Sequence, residues 1–256
     1  MSLKFAANLS FMFTELPFHE RFQAAANAGF RGVEFLFPYA YSPTEIAEFV
    51  QRAGLTLVLH NLPPGDWVAG DRGIAALVGR QQEFRASVET ALSYADVTGL
   101  RQMHIMAGCV DDLDRDSARE IYLENLNHAA RRFANAGLTA LIEPINTTDM
   151  PGYFLNHPHE AHQLFSELGE PNLRLQFDCY HAQIMGGDAV GALEMHFPCI
   201  SHIQIASVPD RHEPDHGDCD YAAVFSTLKK LSYTGWIGCE YHPAGRTEAG
   251  LAWRAR

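Results

Sequence analysis

The strongest constraint in this sequence is an alternation repeated along its whole length: a short strand-like run, then a stretch with helical periodicity. The candidate strands are Lys4–Leu9, Gly32–Phe35, Thr56–His60, Gln102–Ala107, Thr139–Glu143, Arg174–Asp178, Ser201–Ile205 and Trp236–Glu240. Several intervening segments carry their own stop signals. Phe18–Ala28 ends at Gly29, Pro43–Ala53 at Gly54, Gln81–Thr98 at Gly99 and Ser117–Ala136 at Gly137. A glycine just past a helix closes it, because it takes the left-handed conformation without a Cβ clash. Ser42 is placed to cap the second helix, with Pro43 at its first position. Strands separated by helices pair in parallel, and eight is the closing number of the (β/α)8 barrel. The expectation is an α/β chain forming a single TIM-barrel domain over residues 1–256. An open doubly wound sheet is the alternative, but no GxGxxG or GxxxxGK[ST] loop favours it.

Length and composition agree. The chain has 256 residues, of which 47% are apolar, and barrels of about 250 residues fold as one domain. Basic residues number 19 against 31 acidic, a net charge of −12. Nucleic acids and anionic membranes both require basic surfaces, so neither is an expected partner. No apolar run reaches the ~18–20 residues that cross a bilayer. Met1-Ser2-Leu3-Lys4-Phe5 lacks the charged, apolar, small-residue order of a signal peptide, so the expected location is cytoplasmic. Cys179, Cys199, Cys219 and Cys239 recur every 20 residues, but no CxxC pair accompanies them. Reduced thiols are expected rather than disulfides or a zinc cluster. A homo-oligomer is compatible with all of this.

Four of the strands end on a side chain suited to a hard metal ion. The fifth stops at Glu143, the sixth at Asp178 and the eighth at Glu240, and the seventh carries Gln204 next to its end. In a barrel the strand C-termini share one mouth, and strands five to eight are neighbours. Three carboxylates packed together repel unless a cation lies among them. The ligand set needs no Cys or His, so oxygen-preferring Mg²⁺ or Mn²⁺ is expected over Zn²⁺. Two further residues belong to the same mouth. His181 follows Asp178 by three positions, on what reads as a turn, and an imidazole there can polarise a substrate oxygen. Arg211 lies in the loop after strand seven, where a guanidinium can hold a carboxylate in a bidentate fork. The competing reading of Arg211 is an ion pair with Asp210 or Glu213. Glu34, His60 and His104 are weaker candidates, each as readily a buried structural group. Phe11-Met12-Phe13 and Phe35-Leu36-Phe37 either wall the pocket or fill the core. The long loops, from His60 to about Gly79 and from Ala206 to about Asp220, follow strand ends where function collects.

Several segments resemble the hydroxypyruvate isomerase family of xylose-isomerase-like barrels. They are Val33-Glu34-Phe35-Leu36-Phe37-Pro38-Tyr39, His104-Ile105-Met106-Ala107-Gly108, Pro209-Asp210-Arg211-His212-Glu213-Pro214, Trp236-Ile237-Gly238-Cys239-Glu240-Tyr241 and Thr247-Glu248-Ala249-Gly250-Leu251. The resemblance implies one divalent metal held by Glu143, Asp178, Gln204 and Glu240, with Glu143 and Glu240 also transferring protons. It implies a small sugar acid as substrate, hydroxypyruvate in the main reading and 2-oxo-tetronate in the alternative. Related ketose 3-epimerases usually carry histidine at the third metal position, where this chain has Gln204. Past Pro214, where the family commonly reads Gly-Glu-Ile, this chain reads Gly217-Asp218-Cys219. The other readings are an abasic-site endonuclease, a dehydratase of cyclic polyols, and a non-catalytic sugar-acid binding protein. The acidic charge and oxygen-rich cage count against the first, and a pair of proton-carrying glutamates against the last.

Overall fold

The computed structural model describes residues 2–110 and 115–255. Eight strands run in chain order: β1 (Lys4–Asn8), β2 (Gly32–Phe35), β3 (Thr56–Asn61), β4 (Gln102–His104), β5 (Thr139–Ile142), β6 (Leu173–Asp178), β7 (Ile200–Ile205) and β8 (Trp236–Cys239). All are parallel, each pairs with the next, and β8 returns to β1 through Lys4 opposite Trp236 and Ala6 opposite Gly238, closing the barrel. The helices are α1 (Phe18–Asn27), α2 (Pro43–Arg52), α3 (Gln81–Thr98), α4 (Arg115–Asn135), α5 (Pro158–Leu168), α6 (Cys179–Gly186), α7 (Ala189–His196) and α8 (Tyr221–Lys230). All eight expected strands are present. Only β4 is clearly shorter than expected, ending at His104 rather than Ala107.

Local chemistry explains the helix boundaries. Ser42 Oγ accepts from the Glu45 N–H at 3.3 Å, and Glu45 Oε2 accepts from the Ser42 N–H at 2.8 Å, a reciprocal cap at the start of α2. Asp178, Asp188 and Asp220 each accept a backbone N–H at the starts of α6, α7 and α8. Gly99 closes α3 at φ 74°. Among the described residues no helix is long and apolar enough to cross a membrane.

The core has two parts. Phe22, Phe84, Phe133, Leu164, Leu193 and Leu228, from six of the helices, are buried in the main cluster with strand residues such as Val33, Ile142 and Ile203. Each such side chain contributes about 1.5–3 kcal/mol on burial. A second, smaller cluster of Ala6, Val58, Leu59 and Leu141 packs with Trp236 and plugs the barrel interior. Gly32 belongs to this plug by default: a Cβ there would lie 2.7 Å from the Trp236 ring and 2.9 Å from Val58. Strand side chains alternate between faces. Counting two residues onward from the plug on β1, β2 and β5 therefore reaches Asn8, Glu34 and Glu143, and counting four onward from Trp236 reaches Glu240, all at the C-terminal rim.

Candidate active site

At that rim the chain buries an unusual number of acids. Glu34, Glu143, Asp178 and Glu240 are each at most 6% exposed. A cavity of about 140 Å³ opens beside Glu143 and Glu240, lined also by Gln176, His104, His181 and Arg211, with Phe11, Leu36, Trp67 and Met106 on its apolar side. Two strand irregularities, between Val33 and Glu34 and between Leu175 and Gln176, fall next to site residues. Bulges of this kind re-aim side chains at barrel rims.

Of the sequence-derived residues, Glu143, Glu240, His181 and Arg211 line the cavity, whereas Asp178 and Gln204 are not in its lining. Glu143 follows β5 directly, where Pro144 ends the strand. Asp178 closes β6, and its Oδ1 accepts the Tyr180 N–H at 2.9 Å, so the strand end is also the cap of α6. Gln204 sits on β7 opposite Asp178 and Gly238. Ligand atoms of Glu143, Asp178 and His181 lie within 4.8 Å of one another. His181 is in α6 rather than on a turn: the chain enters a helix at once because Asp178 caps it. Its Nδ1 accepts from Asn146 Nδ2 at 2.7 Å, and Asn146 Oδ1 is taken up by the Asp149 N–H. The neutral ring therefore carries its proton on Nε2, 3.6 Å from Asp178 Oδ2 and 3.9 Å from Glu143 Oε1. In that tautomer it is a donor toward the carboxylates.

Arg211 does not pair with Asp210 or Glu213. Its Nη2 donates to Glu240 Oε1 at 2.8 Å and lies 3.7 Å from Asp178 Oδ2, while Nη1 is 3.7 Å from Asp149. The guanidinium is held over the Phe11 and Tyr180 rings, at 5.1 and 4.7 Å. Of the two aromatic stretches, Phe11 and Leu36 reach the cavity, whereas Met12, Phe13 and Phe35 are core. His104 lines the cavity with neither ring nitrogen hydrogen-bonded. His60 packs among Phe35, Tyr39 and Tyr94 and pairs with the Asn61 carbonyl, a structural position.

Three contributors were not singled out from the sequence: Asn8, Gln176 and His202. Gln176 Nε2 donates to Glu143 Oε2 at 3.0 Å and to Gln204 Oε1 at 2.8 Å. Asn8 Nδ2 donates to Glu240 Oε2 at 2.8 Å and to Glu34 Oε1 at 3.1 Å. His202 Nε2 donates to Glu34 Oε2 at 2.7 Å. The signal was available: Gln176 lies two residues before Asp178 and His202 two before Gln204, each a polar residue on the same strand face.

Burial dominates the electrostatics. It pushes the Glu240 carboxyl up to about 8, with Asp178 and Glu34 adding to the rise and Arg211 opposing it. Asp178 is raised to about 6, again mainly by burial and against Arg211. Glu143 is held well above the usual range by burial, then by Glu240 and Asp178. Burial drops His104 to about 3 and holds His181 well below its ordinary value, so both rings are neutral near pH 7. The donor set fits a hard divalent cation on this chain's own chemistry. Glu143 Oε1 and Asp178 Oδ2 are buried without a hydrogen-bond donor. Arg211 is the one guanidinium that the described residues set against Glu143, Asp149, Asp178 and Glu240.

A family model described as the xylose isomerase-like TIM barrel matches residues 22–256. The chain belongs to that family. A 2-oxo-tetronate isomerase from Cupriavidus necator is 52% identical over 251 residues, spanning 98% of this chain and 96% of the relative. The hydroxypyruvate isomerase of Escherichia coli is 41% identical over 252 residues, 98% of each chain. A crystal structure from Brucella melitensis, described as an AP endonuclease of family 2, is 52% identical. It covers 99% of this chain and 98% of its own, with a TM-score of 0.97.

Proposed function

We propose that this chain interconverts hydroxypyruvate and tartronate semialdehyde, with Glu143 and Glu240 taking a proton from the substrate and returning one to it. With full-length relatives that are isomerases, it is an enzyme of the aldose–ketose isomerase type. The observation that carries the proposal is the placement of two glutamates, from β5 and β8, in one cavity of about 140 Å³. That volume lies below the ~300–1,000 Å³ of sites for drug-sized ligands, which suits an acid of three or four carbons.

The reaction moves a carbonyl between adjacent carbons. One glutamate takes the proton from the hydroxyl-bearing carbon, leaving an enediolate. The other returns a proton to the former carbonyl carbon, and the hydroxyl proton passes to the neighbouring oxygen. A carboxyl titrating near neutrality can do both halves of such work, typically for 10²–10⁴-fold in rate. Glu240, raised to about 8, is such a group. His181, with its proton on Nε2, is placed to move the hydroxyl proton. Arg211, beside Glu240, would hold the substrate carboxylate. Glu143, Asp178, Gln204 and Glu240 would hold one Mg²⁺ or Mn²⁺. When bound, that ion would stabilise negative charge developing on the substrate oxygens.

A second substrate is favoured by one observation: the 2-oxo-tetronate isomerase is 52% identical against 41% for the hydroxypyruvate isomerase. The two reactions are the same carbonyl shift on chains differing by one carbon. The net charge of −12 speaks against DNA as substrate. Five free cysteines suit a reducing, cytoplasmic setting. The deciding experiment compares turnover of hydroxypyruvate and 2-oxo-tetronate with Mg²⁺, with Mn²⁺ and with a chelator. Metal-dependent turnover of one or both is expected; turnover of neither would overturn the proposal.

A further inference from the structure

Gln204 poses a problem that an acid at its position would not. A primary amide has two ends of nearly the same shape, and only its oxygen suits a hard cation. Something must fix which end faces the site. In the structure both hydrogens of Gln204 Nε2 are engaged, one by Glu34 Oε1 at 2.8 Å and one by Glu240 Oε2 at 2.6 Å. Turning the amide over would set its oxygen against two carboxylate oxygens at those distances. The oxygen is therefore held on the other side, toward Gln176 and Glu143.

Of the two acceptors, Glu240 is not constant. It faces the cavity, pairs with Arg211, and gains and loses a proton in the proposed reaction. Glu34 is fully buried and accepts from three donors: Asn8, Gln204 and His202. The barrel also makes room for it. A Cβ at Gly238 would lie 2.2 Å from Glu34 Oε1 and 2.5 Å from its Cδ, so the carboxylate occupies the space a β8 side chain would otherwise fill.

We propose that Glu34 is a positioning residue that turns the oxygen of Gln204 toward the cation, held in place by His202 and by the missing side chain of Gly238. The proposal rests on the reading of Gln204 as a metal ligand. Glu34 itself touches neither cation nor substrate.

The test is Mn²⁺ affinity, by calorimetry or by the electron paramagnetic resonance of free Mn²⁺. It uses wild type, E34Q, Q204E and the double variant E34Q/Q204E, each checked for an intact melting transition. Loss of an outer partner to a metal ligand typically costs 10–100-fold in affinity, and E34Q is expected to fall in that range. A carboxylate at 204 presents oxygen at either end but sets one of them against Glu34, so in the Q204E background E34Q should leave affinity unchanged or raise it. A full loss in both backgrounds would mean a general structural or charge effect and would overturn the proposal, as would unchanged affinity in E34Q. If E34Q fails to fold, G238A decides: it keeps both acids but displaces Glu34, and should weaken Mn²⁺ in the same direction. Unchanged affinity there also overturns the proposal. Wild-type affinity in Q204A would instead remove Gln204 as a ligand, which marks failure of the underlying reading rather than of the role of Glu34.

Discussion

Metal-free protein should lose stability as the pH rises from 7 to 8.5, and Glu240 should account for a measurable share. A carboxyl whose folded value is raised keeps its proton in the fold after the unfolded chain has lost it. Its contribution is complete below the unfolded value near 4.3–4.5 and drains away as the pH climbs through the folded value. For Glu240 that value is about 8. Between pH 7 and 8.5 such a group passes from mostly protonated to mostly ionised. At about 1.4 kcal/mol per proton per pH unit, the integrated loss is roughly 1 kcal/mol. Other groups act nearby. The buried histidines, neutral in the fold, add an opposite slope as the pH falls through about 6.5. The buried thiols of Cys179 and Cys239 add the same sign above about 9. Comparison with E240Q cancels both and leaves the Glu240 share together with the part of the Glu143 rise that Glu240 causes. Urea unfolding at the two pH values should show wild type losing about 1 kcal/mol more than E240Q. Saturating Mn²⁺ should reverse the trend, because binding to carboxylates releases their protons and gains strength as the pH rises. Equal pH dependence in the two proteins would refute the claim that burial holds a proton on Glu240.

Three further outcomes follow from the same geometry. E240Q and E143Q should each lower turnover by about 10²–10⁴-fold while keeping the fold, and wild-type turnover in ²H₂O should place deuterium on product carbon; full activity in either variant would remove it from the proton path. R211M should raise KM more than it lowers kcat, by roughly 10–100-fold from the ~1.5–3 kcal/mol of a charged hydrogen bond, as steady-state kinetics would report. Gly32→Ala should destabilise the barrel by about 1–3 kcal/mol, read from urea unfolding, since its Cβ would meet Trp236 and Val58 below 3.0 Å.

The barrel and the acids at its rim were legible in the sequence for one physical reason. A parallel strand buried on both faces reads as an unbroken apolar run, so a carboxylate that ends the run stands out, as Glu143, Asp178 and Glu240 do. The groups that hold those acids were not legible by the same logic. Gln176 and His202 lie inside strands, and alternation says only that they share a face with Asp178 and Gln204. Which face lines the lumen depends on closure and register, and the register shifts beside Gln176 and Glu34. The acids next to Arg211 in sequence, Asp210 and Glu213, are not its partners; those lie just past β8 and after β5, at Glu240 and Asp149. Gly238 is the clearest case. In the sequence it is a glycine in a strand, a sign of weakness or of close approach. In the barrel its missing side chain is the space filled by Glu34, and through Glu34 it bears on which end of Gln204 faces the site. A residue that acts by absence, on a neighbour 204 positions away, has no local signature to read.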